Sequence, residues 1–329
     1  MSLSAKVNLA ILRRPRTQAL LEGTVKLAGL SARWLPMSDP LGWGLPPREQ
    51  HRDLASAAVD GGEMSISSFV QAKSRGAPLV ALPIFLKRGL VQRSLFCPVD
   101  SSLSSPEQLV RKRVGLVGYT SSMAVWIRGV LRDGYGVAAS SVQWFTLSGP
   151  SPNAQSLSIP DEYSAAERIQ AWEELDGYPH ELDRREIFLL SLLNRGALDA
   201  FVSFQARIDC ERSRPLLHED SLWSHPLNSQ IYPINHLFVV KTDVVHEFPT
   251  IARSLLSAFR EARGSWTTYQ TQDERKAYER EIAQLGYDPF AYRLDEVEKK
   301  TLETFVAYLQ TEKLISHKLR LDELIYGGG

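Results

Sequence analysis

Residues 113–133 admit few folds. Arg113–Val117 is a short apolar run, Gly118-Tyr119-Thr120-Ser121-Ser122 is a turn of glycine and hydroxyls, and Ala124–Asp133 has helical apolar spacing that stops at Gly134 or Gly136. A buried strand feeding straight into a helix is the repeating unit of a sheet covered by helices. Val142–Thr146 supplies the next strand, so the pattern continues beyond one unit.

The rest of the chain alternates in the same way. Strands are predicted at Val7–Leu12, around Trp34 and Leu35, at Leu79–Phe85, Ala200–Phe204 and Pro233–Val240. Helices are predicted at Thr17–Ala28, Arg48–Val59, Tyr163–Leu175, Asp183–Arg195 and Val244–Arg263, with three more between Thr271 and Leu324. Ser104-Ser105-Pro106-Glu107 is a helix start, because serine caps and proline suits the first turn. Asp39–Pro47 and residues 148–162 read as loops rich in proline. The length, 329 residues, is enough for two ordinary domains or for one large one, and the alternating pieces can form two α/β lobes.

Composition excludes several classes. Lys plus Arg equals Asp plus Glu at 38 each, so no global field steers the chain to nucleic acid or to an anionic membrane. An apolar fraction of 43% supports a substantial core, yet no apolar stretch reaches membrane-spanning length. Cys97 and Cys210 lack the spacing of a zinc site or redox pair and read as isolated buried thiols. Val7–Leu12, followed by Arg13 and Arg14, reads as a first strand rather than an export signal, which makes the cytoplasm the expected compartment. An export signal preceding the sequence would make it periplasmic.

Ligands of open α/β lobes collect beyond the carboxyl ends of strands, where helix N-termini expose backbone donors. Tyr119, Thr120, Ser121 and Ser122 occupy such a turn, either as carboxylate ligands or as turn and capping residues. It is neither a dinucleotide loop nor a Walker loop. Glu63, Ser65, Ser67 and Ser68 mark a second junction with more hydroxyls than one cap requires. Arg88 ends a buried strand beside a glycine and is a candidate carboxylate clamp, with Arg93 a second such arginine. Arg128 follows the hydroxyl turn on its helix, near Trp126, which reads as core. His236 interrupts an apolar strand and is the candidate for proton exchange near neutral pH, against a structural role. The other histidines are scattered without ligand spacing, so a metal site is not expected.

Several segments together resemble the family of 4,5-dihydroxyphthalate decarboxylase and its relatives, similar in fold to type II periplasmic solute-binding proteins. They are GGEMSISSFVQAKSRG at 61–76, PIFLKRGLVQRS at 83–94, KRVGLVGYTSSMAVWIRGVLRDGYGV at 112–137, GALDAFVS at 196–203, YPINHLFVVKTDVVHEFPTIARSLLSAFREA at 232–262 and GYDPFAYRLDEVEKKTLETFVAYL at 286–309. The resemblance implies two α/β lobes with a ligand cleft between them. One lobe takes residues 1–97 and 233–329 and includes a helical C-terminal tail; the other takes 98–232. It makes Glu63, Ser65, Ser67, Arg88, Tyr119, Arg128 and His236 cleft or framework residues. The family turn resembles Gly-Val-Pro-Glu-Tyr, whereas residues 118–122 carry hydroxyls and no carboxylate.

The implied activity is loss of carbon dioxide from a hydroxylated aromatic, phthalate-like carboxylate. His236 would deliver a proton to the ring, and Arg88 with Thr120–Ser122 would orient its oxygens. No nicotinamide, flavin or pyridoxal motif calls for a cofactor. The alternative is a solute-binding protein serving a transporter, or a cytoplasmic sensor, for a small carboxylate without catalysis.

Overall fold

Apolar runs supply the strands, and hydroxyl-rich junctions start several of the helices. The computed structural model describes residues 6–37, 59–147, 153–159, 170–172, 180–181, 183–205, 207–208 and 210–327. In chain order the elements are β1 (Lys6–Leu12), α1 (Gln18–Leu21), β2 (Ser31–Met37), β3 (Gly61–Ser65), α2 (Ile66–Ser74), β4 (Leu79–Arg88), β5 (Leu95–Pro98), β6 (Arg113–Leu116), α3 (Ser122–Tyr135), β7 (Gln143–Thr146), β8 (Gln155–Ser156), β9 (Gln170–Trp172) and β10 (His180–Glu181). They continue with α4 (Arg184–Asn194), β11 (Ala200–Val202), β12 (Arg207–Ile208), β13 (Ser213–Pro215), α5 (Glu219–Trp223), β14 (Ile234–Lys241), α6 (Thr242–Glu247), α7 (Ile251–Gly264), α8 (Gln272–Leu285), α9 (Glu296–Thr311) and α10 (Leu321–Leu324).

The chain divides into two compact units, residues 1–89 with 232–329, and residues 90–231. The first holds a five-stranded sheet in the order β2-β1-β3-β14-β4. β1 runs parallel to β2 and β3, whereas β14 is antiparallel to β3 and β4. Trp34, Phe238 and Phe259 pack edge to face at centroid separations of 5.1 to 6.3 Å, closing α7 onto this sheet. Gly61 lets β3 approach β14 closely, since a Cβ there would lie 2.6 Å from the Val239 carbonyl oxygen.

The second unit holds a six-stranded sheet in the order β13-β5-β11-β6-β7-β8, and the short antiparallel sheet β10-β9-β12. Its core gathers Phe96, Val117, Ile187, Leu189 and Phe201 from four segments. β5 pairs with β11 and β13, so the boundary read from sequence at residue 97 falls inside a strand of this unit.

Several predicted elements differ from the structure for identifiable reasons. The helix predicted at Thr17–Ala28 closes at Leu21, because Gly23 adopts a φ of 73° and the Val25 N–H turns back to the Ala19 carbonyl. The single helix predicted over Val244–Arg263 is two, α6 and α7, interrupted at Phe248-Pro249-Thr250 because proline cannot continue the backbone ladder. The serine-proline signal at 104–107 starts only a 3-10 turn, Pro106–Leu109. Gln170–Trp172 is a strand, not helix, and the other residues of the predicted 163–175 helix lie outside the described residues, as does nearly all of the helix predicted at Arg48–Val59. The loop predicted over Asp39–Pro47 also lies outside them, as does half of that over 148–162, where β8 is a short strand.

Candidate functional site

Glu63 is an anomaly to be explained first: an ionisable side chain at 0% exposure inside a five-residue strand whose every member is buried. A buried carboxylate is tolerated only when paired and hydrogen-bonded. Glu63 meets that demand from both flanking strands and from the turn beyond one of them. Arg14 Nη1 donates to Oε2 at 2.5 Å, and the Leu12 N–H at the end of β1 donates to the same oxygen at 3.2 Å. From the opposite side, His236 Nδ1 on β14 lies 2.6 Å from Oε1. Thr17 supports the arginine, because its hydroxyl accepts from the Arg14 N–H at 3.0 Å.

The electrostatics fix the protonation states. Burial pushes the Glu63 carboxyl up, but the Arg14 guanidinium and the His236 hydrogen bond outweigh it and leave the group at about 2. Burial pushes His236 below the usual histidine range; Glu63 opposes that, while Lys87 and Arg14 reinforce it. An ionised carboxylate only accepts, so the neutral ring must carry its proton on Nδ1. Nε2 is therefore left as a base, on a side chain that keeps 15% exposure while Glu63 keeps none. A carboxylate that fixes the tautomer and supports the imidazolium is the arrangement used by hydrolytic triads.

The residues around His236 come from three strands. It pairs in register with Ser65 on β3, and with Lys87 on β4 between two register shifts. Ser65 caps α2, accepting from the Ser68 N–H at 3.2 Å and donating to the Ser68 hydroxyl. Ser67 points its hydroxyl at Gln71, which donates to it at 2.9 Å within the helix. Of the four residues predicted at this junction, Glu63 and Ser65 stand beside His236, while Ser67 and Ser68 make bonds within the start of α2.

Arg88, predicted as a carboxylate clamp, is engaged with partners inside the first unit. Its guanidinium is buried and donates to Glu298 at 2.7 Å, to the Pro289 carbonyl at 2.9 Å and to the Tyr232 carbonyl at 3.0 Å. These bonds tie the end of β4 to α9 and to the chain just before β14, which makes Arg88 a framework residue. Arg93 lies over the Trp223 ring at 5.1 Å.

In the second unit the hydroxyl turn folds as the start of α3. Ser121 is the N-cap, its hydroxyl accepting from the Ala124 N–H at 3.2 Å. Ser122 and Tyr119 are buried, and Thr120 is partly exposed. Arg128, 1% exposed, reaches back to the Tyr119 carbonyl at 2.8 Å and stacks over the Tyr119 ring at 3.7 Å. The arginine thus braces the turn one helical stretch away. Trp126 is fully buried core. Cys97 is a buried free thiol and Cys210 a partly exposed one.

Arg14 was missed from sequence. The only signal for it is Arg13-Arg14 directly after a strand, which reads as a polar flank until its carboxylate partner, 49 residues on, is known. Lys87 was passed over for its neighbour Arg88, since alternation along a strand sends adjacent residues to opposite faces and sequence does not say which face matters.

No family model matches the chain. Over 271 residues it is 26% identical to a 4,5-dihydroxyphthalate decarboxylase of Comamonas testosteroni, covering 78% of this chain and 74% of that protein. Over 143 residues it is 30% identical to a protein of the same name from Pseudomonas putida, covering 42% of this chain and 52% of that one. Among solved structures, the periplasmic aliphatic sulphonate binding protein SsuA of Escherichia coli matches with a TM-score of 0.57 at 11% identity, over 98% of this chain and 97% of the other. Among the described residues, no helix is long and apolar enough to cross a membrane. The chain is a sequence relative of proteins named 4,5-dihydroxyphthalate decarboxylase, built on a periplasmic-binding-protein-like α/β fold.

Proposed function

We propose that the protein is a decarboxylase for a hydroxylated aromatic, phthalate-like carboxylate, and that His236 supplies the proton that replaces the departing carboxyl. The observation that carries this reading is the Glu63–His236 pair, which leaves a neutral imidazole with Nε2 as its base. The names of the sequence relatives support the choice of reaction.

A carboxylate arriving beside the imidazole favours its charged form, so substrate binding loads Nε2 with a proton from solvent. The imidazolium gives that proton to the ring carbon bearing the departing carboxylate, made electron-rich by the ring hydroxyls. That carbon becomes tetrahedral. The bond to the carboxylate then breaks, its electron pair returns to the ring, carbon dioxide leaves and the imidazole is neutral again. Glu63 holds the ring in one tautomer and stabilises the imidazolium in each cycle. The substrate ring accepts the electrons, so this reading requires no organic cofactor.

The test is carbon dioxide release from 4,5-dihydroxyphthalate and other hydroxylated benzoates by the purified chain, with chelator or with added divalent cation. Release is expected in both arms, with one deuterium at the vacated carbon when the solvent is heavy water. His236→Gln should lower turnover by about 10²–10⁴-fold while ligand affinity changes little. Binding of the acids without release would move the protein to the solute-binding reading. Release only with added cation would replace the cofactor-free chemistry.

A further inference from the structure

The β4–β14 pairing is irregular at the position where His236 sits. Ile234 pairs with Arg88, yet His236, not Asn235, pairs with Lys87, so β14 carries one extra residue there. The next step, Leu237 to Phe85, skips Leu86 on β4. The step after that, Phe238 to Leu82, skips Ile84 and Pro83, so β4 carries further unpaired residues there. Bulges of this kind turn side chains out of the regular alternation and are common beside active sites. Here the result is a row of three unlike polar groups across three strands: the Ser65 hydroxyl, the His236 imidazole and the Lys87 ammonium. Residues paired directly across antiparallel strands have Cβ atoms about 4.5–5.5 Å apart. The Lys87 charge acts on the His236 ring, and Lys87 is only partly buried.

We propose that Lys87 determines specificity, by binding a second carboxylate that neighbours the one lost over His236, so that the site selects vicinal dicarboxylates over monocarboxylates. This deepens the decarboxylase reading and rests on it for the identity of the departing group. The placement is chemically specific. A cation gripping the departing carboxylate would hold its negative charge in place and oppose formation of neutral carbon dioxide. A cation one strand away from the proton donor instead holds the carboxylate that stays. Adjacent ring carbons hold the two carboxylates side by side, so the retained group at Lys87 would set the departing one beside the imidazole.

The test compares phthalate with benzoate by calorimetry, using the full chain as wild type, Lys87→Met, Lys87→Gln and Lys87→Arg, each checked for an unchanged unfolding temperature. Wild type is expected to bind phthalate at least about tenfold more tightly than benzoate, as for one charge-assisted hydrogen bond. In Lys87→Met and Lys87→Gln that ratio should fall to about twofold or less with benzoate affinity unchanged, and Lys87→Arg should restore most of it. An unchanged ratio in both neutral variants, or no binding of phthalate by wild type, overturns the proposal. Carbon dioxide release is scored separately. A Lys87-dependent ratio without turnover removes the decarboxylase reading and keeps the carboxylate site, and turnover with an unaltered ratio does the reverse.

Discussion

His236 Nδ1 and Glu63 Oε1 lie 2.6 Å apart, joining residues 173 positions apart in the chain, although the backbone partner of Glu63 across β14 is Phe238. The bond is therefore diagonal, and it links proton chemistry to sheet integrity. Glu63→Gln keeps the shape of the side chain but leaves the buried Arg14 without its counter-charge. We expect a loss of about 3–5 kcal/mol in urea unfolding, together with a fall in turnover in whatever fraction stays folded. A stable Glu63→Gln protein would show that Arg14 and His236 do not depend on this carboxylate.

Acid should weaken the protein in two successive windows. Glu63 falls from 4.5 to about 2 on folding, so the unfolded chain binds a proton more readily. Its contribution is complete above about pH 4.5, is lost as pH falls towards 2, and amounts to roughly 3 kcal/mol. His236 is also lowered, from 6.5, so its contribution has the same sign and begins to be lost as pH drops below 6.5. Urea midpoints followed from pH 8 to 3 should decline in both windows. In His236→Gln the upper one should vanish.

Arg88→Met separates framework from ligand roles. It strands Glu298, which is 2% exposed, and removes the ties to the Tyr232 and Pro289 carbonyls. Unfolding should cost about 3–5 kcal/mol less, while KM in the surviving folded protein stays within a few-fold of wild type. A large rise in KM at unchanged stability would restore the carboxylate clamp.

Gly61→Ala tests the closeness of β3 and β14. The added methyl meets a backbone oxygen, which cannot rotate away as a side chain would. A loss of about 1–3 kcal/mol is expected, with turnover reduced because Glu63 and His236 sit two and four pairs along the same ladder. Thermal unfolding and carbon dioxide release measured together check both parts.

The alternation of strands and helices was readable because each element is a local pattern, and His236 stood out as the polar residue of an apolar strand. Glu63 and Ser65 were readable as members of a polar junction. Their partnership with His236 was not, since nothing in the local sequence says which strand becomes the neighbour of β3. The Arg88 bond to α9 was hidden for the same reason: its partner Glu298 is 210 residues away, and an arginine after a strand looks alike whether it serves a ligand or a helix. β5 escaped because four residues ending in proline carry too little periodicity, and only its pairing with β11 and β13 identifies it.

The chain leaves the first unit after Gly89 and returns at Tyr232, and the returning strand β14 is inserted between β3 and β4 rather than added at an edge. During synthesis, β3 and β4 must therefore wait with open backbone edges while some 140 further residues are made. Open edges of this kind recruit other strands, so the nascent chain is most exposed to aggregation in that interval. The histidine that completes the site arrives on the strand that ends it. Assembly of the Glu63–His236 pair and escape from this vulnerable interval are thus reached in a single event, late in translation.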